Sequence, residues 1–117
     1  MKDYIKIKRA KLQNFKTQFE IIKMKEEENI SEYFERIHEI INAIQGLGAE
    51  LEEKEIVEKV LRSIPMIYKP KISTLDDREF HDKLTMEELY GIIIAYEIRI
   101  GKDDSQKKKK NILNHLR

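Results

Sequence analysis

Residues 29–48 read NISEYFERIHEIINAIQGLG, and this stretch carries both the body of an amphipathic helix and the signals that start and stop it. Asn29 can accept from backbone amides of a first turn, and Glu32, three residues on, can reach back to the Asn29 amide in a capping-box arrangement. Ile30, Phe34, Ile37, Ile41 and Ile44 then recur at helical spacing, joined by Tyr33 and Ile40. Glu32, Glu35, Arg36 and Glu39 fall mostly on the opposite face. Gly46-Leu47-Gly48 ends the helix, because glycine accepts the left-handed backbone that closes helices.

Working outward, the upstream residues 4–25 carry Ile5, Leu12, Phe15, Phe19 and Ile22 at spacings of three, four and seven, with Met24 nearby. They predict a long first helix ending near Lys25, before the polar run Lys25-Glu26-Glu27-Glu28. Downstream, residues 52–63 predict a helix with Ile56, Val57, Val60 and Leu61 inward and three acidic residues, Glu52, Glu53 and Glu55, near its positive N-terminal end. Ile64-Pro65 closes it. Pro70 suits the first turn of a short helix through Leu75, since its missing amide donor costs nothing there. Residues 76–83 read as an exposed polar loop. Thr85-Met86-Glu87-Glu88 is a second capping-box pattern, followed by Leu89, Ile92, Ile93, Tyr96 and Ile100, with Gly101 as the stop. The expected fold is all-α, a compact bundle of about five helices with a long N-terminal helix.

The 117 residues amount to one domain, with 40% hydrophobic residues to build a modest core. Four Gly, two Pro and no Trp argue against a sandwich or barrel. The absence of cysteine excludes a disulfide framework, a thiolate metal site and a Cys nucleophile, and is compatible with a cytoplasmic setting. No stretch has signal-peptide character or the length of a membrane span, so no membrane partner is expected. Charge nearly cancels, 23 Lys plus Arg against 22 Asp plus Glu, but it is laid out in blocks. Residues 1–25 carry eight basic and two acidic side chains, residues 26–101 nine and eighteen, and residues 102–117 six and two. Two basic ends flanking an acidic middle suit head-to-tail association or end-on contact with a polyanion.

Chemistry is harder to place. His38, His81 and His115 share no spacing that would put two metal ligands on one helical face, and neither GxxxxGK[ST] nor GxGxxG is present. The carboxylates at 26–28 and 76–77 sit in segments read as exposed, where nothing would raise a pKa for acid catalysis. No enzyme, cofactor, metal or small-molecule substrate is expected. Lys107, Lys108, Lys109 and Lys110, with the basic first segment, could neutralise phosphates without sequence preference, which makes weak nonspecific RNA contact an expectation. Tyr33, Phe34 and Tyr96 read as core residues rather than base-stacking platforms.

Three strings in order, KLQNFKTQFEIIKMKEEENISEYFERIHEIINAIQGLGAEL, EKEIVEKVLRSIPMIYKPKISTLDD and LTMEELYGIIIAYEIRI, resemble the Gag polypeptide of copia-type LTR retrotransposons. The likeness spans roughly residues 10–100. It rests on the Leu12/Phe15/Phe19 helix running into Lys23-Met24-Lys25, on Ser31-Glu32-Tyr33-Phe34 with Arg36, on residues 57–65, and on the helix from Leu84 to Glu97. The resemblance implies a helical capsid-like domain that self-assembles into the shell of a virus-like particle around element RNA, with itself and related Gag proteins as partners. The segment 29–36 also resembles, more distantly, the major homology region that opens the C-terminal capsid lobe of retroviral Gag. On that analogy residues 1–28 close the N-terminal lobe or bridge the lobes, residues 29–101 form a C-terminal-lobe-like domain, and residues 102–117 are a basic linker. The family's helices before residue 10 and its zinc knuckle are not in this sequence, which reads as truncated before the knuckle. Tyr33, Phe34, Arg36 and Ile37 are the expected organising cluster, with Arg36 bonding carbonyls or pairing with a carboxylate. The alternatives from other classes are a nonspecific RNA binder and a host-adapted protein-interaction module.

Overall fold

The computed structural model describes residues 2–75 and 82–101. Among them lie five α-helices and no strand: α1 (Lys2–Ile21), α2 (Ile30–Gly46), α3 (Glu53–Ser63), α4 (Lys69–Ser73) and α5 (Met86–Ile100), with a 3-10 turn at Met66–Tyr68 before α4. The all-α bundle and the long N-terminal helix are as the residue spacing predicts. None of these helices is long and apolar enough to cross a membrane. The lysines at 107–110 and most of the polar loop, residues 76–81, lie outside the described residues.

α2 is the centre. Ile30, Tyr33, Phe34, Ile37, Ile40, Ile41 and Ile44 are all buried, and the core around them takes Phe19 from α1, Ile56, Val57 and Val60 from α3, Tyr68 from the 3-10 turn, and Met86, Leu89 and Ile93 from α5. Each such side chain contributes about 1.5–3 kcal/mol by leaving water. The first capping box forms in full, and the second forms only its side-chain-to-amide half. Asn29 Oδ1 accepts from the Glu32 amide at 2.9 Å and Glu32 Oε1 from the Asn29 amide at 3.5 Å. Thr85 Oγ1 accepts from the Glu88 amide at 3.1 Å. At the other ends, Gly48 (φ 93°) and Gly101 (φ 74°) hold left-handed conformations that a side chain would strain.

The structure corrects the sequence reading at several points. α1 stops at Ile21, four residues short of Lys25, because the backbone beyond it is recruited by other elements. The Met24 amide donates to the Ser63 carbonyl at 3.1 Å, and the Lys23 carbonyl accepts from Arg36 at 2.8 Å. Lys59 of α3 donates to the Glu20 carbonyl in the last turn of α1, satisfying an acceptor that a helix end leaves open. Ile22 and Met24 therefore reach the core from a non-helical segment. Ile5, expected on the inner face, is exposed, since α1 overshoots the bundle there. Ile100 is also partly exposed, and the last core position of α5 is taken by an acid, Glu97.

Candidate functional site

The organising cluster expected at Tyr33, Phe34, Arg36 and Ile37 divides in two. Tyr33, Phe34 and Ile37 are buried in the core of α2, and Arg36 stands at its rim. The Arg36 guanidinium donates to both oxygens of Glu28, Nε to Oε2 at 2.6 Å and Nη2 to Oε1 at 2.7 Å, and also to the Lys23 carbonyl. Its Cζ lies 5.7 Å from the centre of the Tyr33 ring. A planar fork meets the two carboxylate oxygens side by side from separate nitrogens while Nη2 also reaches the carbonyl, a bidentate geometry that an ammonium lacks. Arg36 thus clasps both ends of the connection between α1 and α2.

Glu28 overturns the reading of residues 26–28 as an exposed acidic run: it is buried, and Oε1 also accepts from the Lys25 amide at 2.8 Å. Burial, the largest single influence on it, pushes its carboxyl up. The Arg36 hydrogen bond, the Lys25 amide and the charges of Arg36 and Lys25 together outweigh that and hold it below the ordinary 4.5. The Glu28 hydrogen bond in turn raises Arg36 against its partial burial.

A second polar centre has no signal in the local sequence. Glu97, 2% exposed, points from α5 to the start of α2, where its Oε2 accepts from the Ile30 amide at 2.8 Å and from the Tyr68 hydroxyl. Burial, then the hydrogen bond to Glu97 and its charge, push the Tyr68 phenol far above the ordinary tyrosine value, so Tyr68 remains a donor. Glu53 repeats the device at the start of α5, accepting from the Met86 amide at 2.8 Å. Both α2 and α5 are therefore capped twice. The residue just before the helix satisfies the third amide, and a carboxylate from a distant helix satisfies the first. Tyr33 is the exception to this polar economy. Its hydroxyl is buried and makes no hydrogen bond, though it lies near the Ser63 hydroxyl, which donates to the Lys59 carbonyl.

These centres tie helices together. Among the described residues no group of His, Asp or Glu is arranged to hold a metal ion. An apolar recess with an aromatic floor lies between α2 and α5, lined by Phe34, His38, Met86 and Tyr90 with Glu35 and Glu87 beside them. A family model, the gag-polypeptide of LTR copia-type, matches residues 2–110, nearly the whole length. No curated protein and no solved structure is significantly similar to the chain. An all-helical bundle and a match that runs through every described helix agree: the chain belongs to the gag-polypeptide family of copia-type LTR retrotransposons.

Proposed function

We propose that this chain is a non-catalytic capsid-like module that associates with copies of itself and with related Gag polypeptides to build the shell of a virus-like particle around element RNA, in the cytoplasm. The observation that carries this reading is the family match across residues 2–110. The geometry supports it in two ways. Buried charge is committed to bracing helices against one another, and large apolar side chains stand on the surface, among them Tyr4, Ile7, Met66 and Ile67. Light scattering behind size-exclusion chromatography should show a mass that climbs above the 14.0 kDa of one chain as concentration rises. A strict monomer at several hundred micromolar would defeat the reading.

RNA contact belongs to the same proposal, and a specific feature favours it. The first half of α1 exposes Lys2, Lys6, Lys8, Arg9 and Lys11. Affinity for single-stranded RNA should fall steeply with salt and further when Lys107, Lys108, Lys109 and Lys110 are replaced by alanine. Binding indifferent to both would remove RNA from the proposal and leave self-association standing.

A further inference from the structure

α1 outruns the bundle it packs on. Leu12, Phe15 and Phe19 lie against the core, and at Lys8 the helix reaches the loop that closes α2, where the Lys8 ammonium would stand 3.9 Å from a Cβ on Gly48. Residues 2–11 are exposed throughout. Within this overhang Tyr4 and Ile7, 68% and 55% exposed, sit one turn apart on one face, with Lys11 a turn further along it. The overhang carries five cations against one acid, Asp3.

A complementary surface exists on the same molecule. The recess between α2 and α5, about 340 Å³, has an aromatic floor: the Phe34 ring centre lies 5.0 Å from that of Tyr90 and 6.4 Å from that of His38. Glu35 on the α2 side and Glu87 on the α5 side give its rim negative charge. The overhang does not reach the recess of its own chain. The overhang leaves the bundle beside Gly48, beyond the C-terminal end of α2, and the recess lies along residues 31–38, at least 15 Å or so back along that helix.

We propose that the overhang of α1 in one copy docks in the α2/α5 recess of a second copy, Tyr4 and Ile7 against Phe34, Met86 and Tyr90, with the lysines of the overhang meeting Glu35 and Glu87. This rests on the self-association proposed above and assigns its surfaces. Apolar anchors inside a charged rim are the usual anatomy of a specific contact, and opposite charges set the register. The contact joins two different patches, so each copy keeps one free recess and one free overhang, and assembly continues head to tail.

The test uses two one-sided variants of the full chain, each altered only at exposed positions: Ile7→Asp, which spoils the overhang, and Glu35→Lys with Glu87→Lys, which spoils the recess. Each alone should weaken self-association at least about tenfold. Mixed in equal amounts, they should recover association but stop at a heterodimer of twice 14.0 kDa, because only one productive contact remains. Wild-type chain that assembles while both variants assemble equally well would overturn the proposed surfaces and leave self-association intact. Variants that stay monomeric when mixed would also overturn them, as would wild-type assembly abolished by nuclease, which would assign the overhang to RNA. A monomeric wild-type chain would instead refute self-association itself.

Discussion

Replacing Glu97 by alanine should lower stability by about 3 kcal/mol, with a loss in Tm of roughly 12–24 °C for a domain of this size. The carboxylate is buried and accepts from two groups that are themselves cut off from water, the Ile30 amide and the Tyr68 hydroxyl. Removing the acceptor strands both donors, at about 1–3 kcal/mol each, and opens a cavity between α5 and α2. Glu97→Gln retains an acceptor oxygen and should recover more than half of the loss. Two tyrosines provide the contrast. Tyr68→Phe should cost about 1–2 kcal/mol, because Glu97 then loses a partner. Tyr33→Phe should cost nothing measurable or stabilise slightly, because it deletes a hydroxyl that has no partner. Urea denaturation of the four variants checks the set, and a Glu97→Ala midpoint close to wild type would show that α5 is held by apolar packing alone.

The same residues show how far the sequence could be read. The start of α2 was legible because Asn29 and Glu32 are three residues apart and helix geometry alone brings them together. Its second cap was not, since Glu97 lies 67 residues from Ile30 and nothing in its neighbourhood marks it. Ile93 and Tyr96 beside it predict a helix, and an acid within an apolar run reads as a residue turned to solvent. Only the packing of α5 on α2 turns it inward. Glu28 misled for a related reason. Three consecutive glutamates at 26–28 look uniformly solvated, yet the turn there exposes two of them and folds the third under Arg36. The end of α1 was misplaced because periodicity continues through Ile22 while the backbone has already left the helix to meet Ser63 and Arg36. Periodicity records which residues are apolar, and it cannot register a tertiary partner that competes for a backbone hydrogen bond.

Arg36→Ala should cost about 2 kcal/mol at neutral pH, and that cost should shrink in acid. Losing the guanidinium removes two bonds to Glu28, the bond to the Lys23 carbonyl and the contact with the Tyr33 ring, and leaves a carboxylate without its main partner in a site that disfavours charge. With the Arg36 side chain 35% exposed, water moderates the loss below that of a fully buried pair. The pH dependence follows from the direction in which Glu28 is displaced. Its carboxyl is held below 4.5 in the folded chain, so the ion pair stabilises the fold fully above that value, and the stabilisation is lost as pH falls through the lowered folded value. In the alanine variant burial acts on Glu28 unopposed by Arg36, which makes its protonation easier. The stability gap between wild type and variant should therefore be widest near pH 7 and narrow on acidification below about 4.5, leaving the pH-independent share from the Lys23 carbonyl and the Tyr33 face. Arg36→Lys should recover less than half, because one ammonium cannot reproduce the paired Nε and Nη2 bonds to the two oxygens of Glu28. A gap that stayed constant from pH 7 into acid would mean that Arg36 acts by packing on Tyr33. Since residues 23 and 28 are both held by this one side chain, weakening it also loosens the angle at which α1 leaves α2, and with it the direction of the overhang. Head-to-tail assembly should accordingly weaken in the Arg36→Ala chain even under conditions where it remains folded.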